Sequence, residues 1–232
     1  MENVDSQRNG WHLLRLNTET GRPDSFRLLG RDWDLLDGVF APIYSPSTQL
    51  FATWLPYPVD GSLLEVGCGT GVIAVTAAMR GCRSVTALDI SAAAVENTLR
   101  NVRRHGVADR VRVLRSDLFD ALDPGERFDA IFWNSNFIEL PAGPPPDVEL
   151  QLAIFDAGYE THRRYLESAS RRLMPGGRLF LGFSSLGSHD RLEALAAGCG
   201  LQVLPVRVSR YRMPLEIEYQ LLELRVHLPA GT

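Results

Sequence analysis

Residues 62–74 read Ser62-Leu-Leu-Glu65-Val-Gly67-Cys-Gly69-Thr-Gly71-Val-Ile-Ala74, and the fold turns on this stretch. S-L-L-E-V predicts a strand, three alternating glycines predict a sharp turn, and G-V-I-A-V-T-A-A-M-R-G predicts a helix stopping at Gly81. A glycine-rich turn between strand and helix lets a ligand lie against the backbone, and the helix start offers unpaired N–H groups.

Further along the chain the same alternation continues. S-V-T-A-L-D-I (84–90) predicts a second strand, and a helix follows from the N-cap Ser91 to the stop at Gly106, with Ala94, Val95, Leu99 and Val102 at helical spacing. R-V-R-V-L-R-S-D (110–117), R-F-D-A-I-F-W-N (127–134) and R-L-F-L-G-F-S-S (178–185) predict three more strands. The proline-rich 135–148 predicts an irregular loop, 149–173 one long helix, M-P-G-G (174–177) a break, and 189–200 another helix. The last two apolar runs, 201–209 and 215–228, predict an antiparallel pair. Together these give an α/β fold: a Rossmann-like, mostly parallel seven-stranded sheet with helices on both faces and an antiparallel C-terminal strand pair. Residues 1–55 lack a clear period and are expected to form an N-terminal cap over the substrate, with 56–232 as the main domain.

A chain of 232 residues, 45% hydrophobic, suits one substantial core. No stretch has the roughly 20 continuous apolar residues of a membrane span, and M-E-N-V-D-S-Q-R-N-G is no signal peptide, so a cytoplasmic protein is expected. The net charge of −4 makes no demand for a nucleic-acid partner. All 24 basic side chains are Arg, the mark of GC-rich coding, which points to a bacterial source. The three cysteines, Cys68, Cys82 and Cys199, have neither metal-ligand spacing nor even number, so no metal is expected.

From Gly69 the chain also fits G-x-G-x-x-A with Asp89 20 positions on, one form of the dinucleotide fingerprint. A nicotinamide oxidoreductase is therefore a remote alternative. Glu65 discriminates: a carboxylate beside the loop opposes a pyrophosphate but attracts an ammonium group.

Glu65–Gly71, then L-D-I-S (88–91), then S-D-L-F (116–119) resemble, in order, the first three cofactor motifs of the class I S-adenosylmethionine-dependent methyltransferases. The resemblance runs from residue 62 to about 185. It implies that Glu65, Gly67, Cys68, Gly69 and Gly71 hold the methionine part of S-adenosylmethionine. It also implies that Asp89 accepts the ribose hydroxyls, Ile90 lies against the adenine, Asp117 receives the adenine amino group, and Leu118 flanks the ring.

Asn134-Ser-Asn-Phe137 is similar to the N-P-P-Y/F motif of the small-domain methyltransferases, which include the protein-glutamine N5 and ribosomal guanine N2 enzymes. The resemblance implies that Asn134 grips a planar amino group and touches the cofactor, while Phe137 packs beside it. Both prolines are absent, which loosens the geometry of Ser135 and Asn136. Segments resembling the same group place Tyr44, Ser47, Thr48, Asn136, Tyr159 and His162 near the substrate. Glu139 and His162 are the candidate bases for an oxygen acceptor.

Methyl transfer to a nitrogen is expected. A compact chain favours a small-molecule acceptor, with a protein or RNA nitrogen or a small-molecule oxygen as alternatives. Residues 40–55 and 135–149, which combine rings with prolines, are expected to form two sides of a lid.

Overall fold

The computed structural model describes residues 2–143, 149–213 and 215–226. It opens with helix α1 (Glu2–Thr18), the hairpin β1 (Ser25–Leu28) and β2 (Arg31–Asp34), a 3-10 turn at Pro42–Tyr44, and helix α2 (Ser47–Trp54). Then the alternation begins: β3 (Ser62–Val66), α3 (Val72–Met79), β4 (Ser84–Asp89), α4 (Ala92–Arg104), β5 (Val111–Arg115) and β6 (Phe128–Asn134). The remainder is β7 (Ile138–Leu140), α5 (Glu149–Leu152), β8 (Phe155–Ala157), α6 (Glu160–Ala169), β9 (Leu173–Ser184), α7 (His189–Gly198), β10 (Leu201–Met213) and β11 (Leu215–Val226).

Seven strands make the central sheet in the order β10-β11-β9-β6-β3-β4-β5. The strands from β9 to β5 are parallel, whereas β11 pairs antiparallel with β9 and with β10. Leu63, Leu64 and Val66 of β3 and Ile131, Phe132 and Trp133 of β6 are all buried, as strands covered on both faces require. Helix α3 is apolar almost all round because it too is enclosed. From β3 the chain winds outward through β4 and β5, then returns to build β6 and β9 on the other side. This reversal leaves a crevice at the carboxyl ends of β3 and β6, where open α/β sheets bind ligands.

Three regions depart from the sequence reading. The single helix expected over 149–173 is α5, a short strand β8, and α6. Gly158 and Tyr159 adopt φ of 60° and 53°, which ends one element, and Asp156 accepts hydrogen bonds from the N–H groups of Thr161 and His162, which starts the next. Part of the expected loop 135–148 is the strand β7, pairing parallel with β8 through Ile138↔Phe155; residues 144–148 lie outside the described residues. The M-P-G-G break is absorbed into β9, where Phe128 pairs with Leu173 and the register shifts before Ala130 pairs with Arg178.

Residues 1–55, which showed no period, contain a 17-residue helix. Helix α1 docks on β7 and β8: Gly10 lies under the Phe155 ring, Trp11 packs on the same ring at 4.7 Å, and Gln7 Nε2 donates to Glu139 O at 3.1 Å. Helix α2, half of the expected lid, is fixed to the sheet. Phe51 is fully buried against Phe132, and Gly182 leaves the space its ring needs.

Candidate active site

A cavity of about 480 Å³ occupies the crevice, within the range of small-molecule sites. Its floor is the turn after β3. Gly69 and Gly71 hold φ of 54° and 78°, a region that L side chains avoid. A Cβ on Gly71 would lie 2.8 Å from Thr98 Cγ2, so this glycine serves the packing of turn against α4 and does not itself line the cavity.

The buried face of α4 is not the apolar one that spacing suggested. Ala94 and Val102 are buried, but Asn97, Thr98 and Asn101 are fully buried beside them while Val95 and Leu99 are only half-buried. Thr98 Oγ1 donates to Gly69 O at 3.0 Å, and Asn101 Nδ2 donates to Thr70 O at 2.9 Å and to Asp34 O at 2.9 Å. These polar residues clamp the glycine turn and the chain after β2. The legible signal was N-T at 97–98 followed by Asn101, one helical turn apart.

Glu65 lines the cavity at the end of β3, 3% exposed, and its Oε2 has no hydrogen-bond partner. Burial pushes the carboxyl well above the usual range, and a backbone hydrogen bond offsets this only in part. A buried acceptor without a donor costs about 1–3 kcal/mol, so the site favours a ligand that brings an ammonium. Asp89 accepts from Gly69 N–H at 2.9 Å through Oδ2 and from Ser91 N–H at 3.0 Å through Oδ1; burial raises its pKa too. Its oxygens keep further lone pairs for hydroxyl donors. Ile90, 40% exposed, leaves an apolar face open on the rim.

Asp117 follows β5 and receives Arg164 Nη1 at 3.0 and 3.1 Å. Beside it Leu118 is held at φ 47°, where Ser116 Oγ donates to its carbonyl at 2.9 Å and accepts from Ala121 N–H. A non-glycine residue held there is strained, and such strain concentrates at ligand sites. Cys68, Gly67 and Leu118 all line the cavity.

At the other end stand Asn134, Ser135, Asn136 and Phe137. The side-chain amide of Asn134 has no hydrogen-bond partner among the described residues. The two missing prolines are replaced by hydrogen bonds. Ser135 donates to Gly182 O from both N–H (3.2 Å) and Oγ (2.8 Å), and Asn136 Nδ2 donates to Leu152 O (3.0 Å) and Phe155 O (2.8 Å). The loop is therefore fixed without prolines.

Ser47 and Thr48 line the cavity, whereas Tyr44 packs against the core behind it. Tyr159 and His162 do not reach the cavity. Tyr159 donates to Phe137 O at 2.6 Å and accepts from Ser188 N–H at 2.9 Å. His162 bonds Asp156 through Nδ1 at 2.7 Å and lies between Trp133 and Tyr159. Both are fully buried supports of the wall, placed there by the turn at Gly158. Glu139 pairs with Arg191 at 3.1 Å, so neither candidate base is part of the cavity lining. Sequence reasoning missed Trp133, Phe155 and Leu13 of α1 in the lining; an indole one position before a strand end was the available clue.

The fold and this crevice define a class I S-adenosylmethionine-dependent methyltransferase. The chain belongs to the methyltransferase small domain family, whose model matches residues 35–199. It is 31% identical over 188 residues to the release factor glutamine methyltransferase of Bordetella pertussis, covering 74% of this chain and 68% of that protein. It is 31% identical over 167 residues to the ribosomal protein uL3 glutamine methyltransferase of Burkholderia pseudomallei, covering 65% of this chain and 54% of the relative. Against the release factor glutamine methyltransferase of Rhodopirellula baltica, 36% identical, it spans 45% of the relative's length and 54% of its own. The fold superposes on the T. thermophilus 16S rRNA N2 G1207 methyltransferase in complex with AdoMet and guanosine with a TM-score of 0.58 at 22% identity, covering 86% of this chain and 48% of that one. S-adenosylmethionine is the cofactor of this class, and Glu65, Asp89 and the glycine turn fit it.

Proposed function

We propose that this protein methylates the side-chain amide nitrogen of a glutamine in another protein. The observation that carries the reading is Asn134: a carboxamide at the end of β6, without a hydrogen-bond partner among the described residues, lining the cavity beside Trp133 and Phe137. An amide there can accept the N–H of a planar amide and set its plane. The names of the relatives support a protein acceptor over the small molecule that the compact chain favoured. A ribosomal guanine amino group has the same planar chemistry and is the second reading.

S-adenosylmethionine supplies an electrophilic methyl carbon: the acceptor nitrogen's lone pair forms the C–N bond, the C–S electron pair returns to sulfur, and a nitrogen proton leaves to water. The chain's residues align and shield. Glu65 and Asp89 hold the cofactor at one end, and Asn134 orients the nitrogen at the other; such alignment lowers a barrier by about 7–11 kcal/mol in favourable systems. Trp133 and Phe137 wall the cavity beside Asn134 with aromatic rings that can pack on a planar acceptor. No histidine lines the cavity among the described residues, which suits an acceptor whose proton leaves to solvent.

Residues 1–55 are proposed to cover the substrate: α1 reaches the cavity through Leu13, and Val39, Phe40, Ser47 and Thr48 line it as well. Among the described residues no helix is long and apolar enough to cross a membrane, and a cytoplasmic site of action is proposed from the ribosomal and release-factor relatives. The test is Asn134→Ala. Turnover of a glutamine-containing protein should fall at least tenfold with cofactor affinity unchanged; unchanged turnover removes Asn134 from the acceptor site.

A further inference from the structure

Two of the four tryptophans are buried, and their indole N–H groups differ in what they meet. Trp33 Nε1 donates to Leu28 O at 3.0 Å, whereas Trp133, 5% exposed at the end of β6, has no acceptor for its N–H among the described residues. A buried indole N–H ordinarily finds a partner, and it can only donate. Trp133 lines the cavity, and its nitrogen is not among the atoms sealed inside the core. That nitrogen sits against the glycine turn: a Cβ on Gly67 would lie 3.4 Å from Nε1. The indole is held in this orientation by His162 and Tyr165, both fully buried, whose rings pack against it at 4.7 and 4.9 Å. On the neighbouring strand Glu65 Oε2 is a buried acceptor without a donor. Val66 pairs with Trp133 and Glu65 with Phe132, so the pleat puts the carboxylate and the indole on opposite faces of the sheet, both reaching the cavity at the strand ends.

We propose that Trp133 Nε1–H is the donor for the carboxylate of the methionine part of S-adenosylmethionine, so that Glu65 and Trp133 read the two charged ends of one amino-acid group. The inference rests on the cofactor class and not on the glutamine reading. An ammonium answers the unpaired oxygen of Glu65, an anionic oxygen answers the unpaired N–H of Trp133, and an α-amino acid carries both on one carbon. The carboxylate needs this donor for a second reason. Near Glu65 it meets a like charge, and a charge-assisted N–H bond offsets that repulsion. A neutral indole also suits the place better than Lys or Arg, because a full cation would pair with Glu65 and occupy the acceptor that the ammonium needs. The carbonyl of an acceptor amide is the rival for the N–H, but the indole nitrogen sits against the glycine turn, the part of the cavity expected to hold the cofactor.

The probes are S-adenosylhomocysteine, the demethylated cofactor, and its decarboxylated analogue, which keeps the amine and lacks only the carboxyl. Each is titrated into protein with isotope-labelled tryptophan, and the Trp133 indole N–H signal is identified by cross-relaxation with the ring protons of His162 and Tyr165. S-adenosylhomocysteine should move that signal downfield and saturate; the decarboxylated probe should leave it near its free position. The wild-type protein should bind S-adenosylhomocysteine at least about tenfold more tightly than the decarboxylated probe, as a hydrogen bond to a charged group implies. Trp133→Phe, which keeps a ring and removes the N–H, should bring the two affinities within about threefold by weakening the first alone. If both probes move the signal alike, or both bind and neither moves it, the inference is overturned whether or not the variant folds. The glutamine reading survives that result, since no acceptor is present. If neither probe binds at any concentration, the cofactor assignment falls and the inference with it.

Discussion

Asp117 presents both carboxylate oxygens to a single nitrogen of Arg164, at 3.0 and 3.1 Å, across the rim of the cofactor cavity. The carboxylate expected to meet the adenine amino group is therefore already oriented, and it retains lone pairs for a further donor. The pair is substantially exposed, so its own energy is small. Asp117→Ala should weaken S-adenosylmethionine binding by about 1.5–3 kcal/mol, and Arg164→Ala by less than about 1 kcal/mol. Calorimetric titration of both variants checks this; equal losses mean that the arginine contacts the cofactor itself.

Asp89 is bound more tightly into the fold than a simple ligand would be, since it also accepts from Gly69 and Ser91 N–H. Asp89→Ala should cost about 1.5–3 kcal/mol of cofactor affinity and also lower the melting temperature. A folded variant with an unchanged dissociation constant contradicts the ribose role.

Glu65 carries a pH signature. Its folded pKa is raised by burial, so its contribution to stability is present below the unfolded value near about pH 4.3 and is lost as pH rises through the raised folded value. The ligand-free protein should lose stability over that window, and Glu65→Gln should flatten the loss. A bound ammonium favours the carboxylate, so cofactor binding should release a proton and tighten as pH rises through the same window. Titration in buffers of different ionisation enthalpy measures the proton; none released by the wild type removes the ammonium from Glu65.

Tyr159 stands behind the cavity lining, with its hydroxyl committed to Phe137 O and Ser188 N–H. Tyr159→Phe should destabilise the fold by about 1–3 kcal/mol through the two groups left unpaired. At temperatures where the variant is folded, its KM for S-adenosylmethionine should match the wild type. A selective rise in the acceptor KM would return Tyr159 to the substrate.

The succession of the central strands along the chain, and the residues that line the glycine-turn end of the cavity, were legible because each signal is local: a glycine turn, an acidic residue at a strand end, a cap such as Ser91. The acceptor end was not, because its walls come from distant pieces. Phe155 and Asp156 looked like helix residues until the turn at Gly158 and the pairing of β7 with β8 made them a strand. Asn97, Thr98 and Asn101 fall outside the apolar spacing of α4, yet they are fully buried, and their partners are backbone groups that sequence spacing cannot show. Helix α1 was invisible to periodicity for a related reason. Its docking depends on the absence of a side chain at Gly10, under the Phe155 ring.

That contact yields a prediction of its own. A Cβ at Gly10 would lie 2.4 Å from Phe155 Cε1, so Gly10→Ala, which favours an isolated helix, should here push α1 from β8. Hydrogen exchange at 138–140 and 155–157 should quicken in the variant. Unaltered protection there means that α1 adds nothing to the cavity wall.

The proposed methyl transfer from S-adenosylmethionine to a glutamine side chain of a protein can be read directly on labelled peptides. The purified enzyme, given trideuteromethyl-labelled S-adenosylmethionine with ribosomal proteins and release factors from a bacterial extract, should place label on glutamine side-chain nitrogen, one methyl per site, as read by mass spectrometry of the peptides. Asn134→Ala should place little or none. Label found in RNA, or in small molecules and not in protein, contradicts the account.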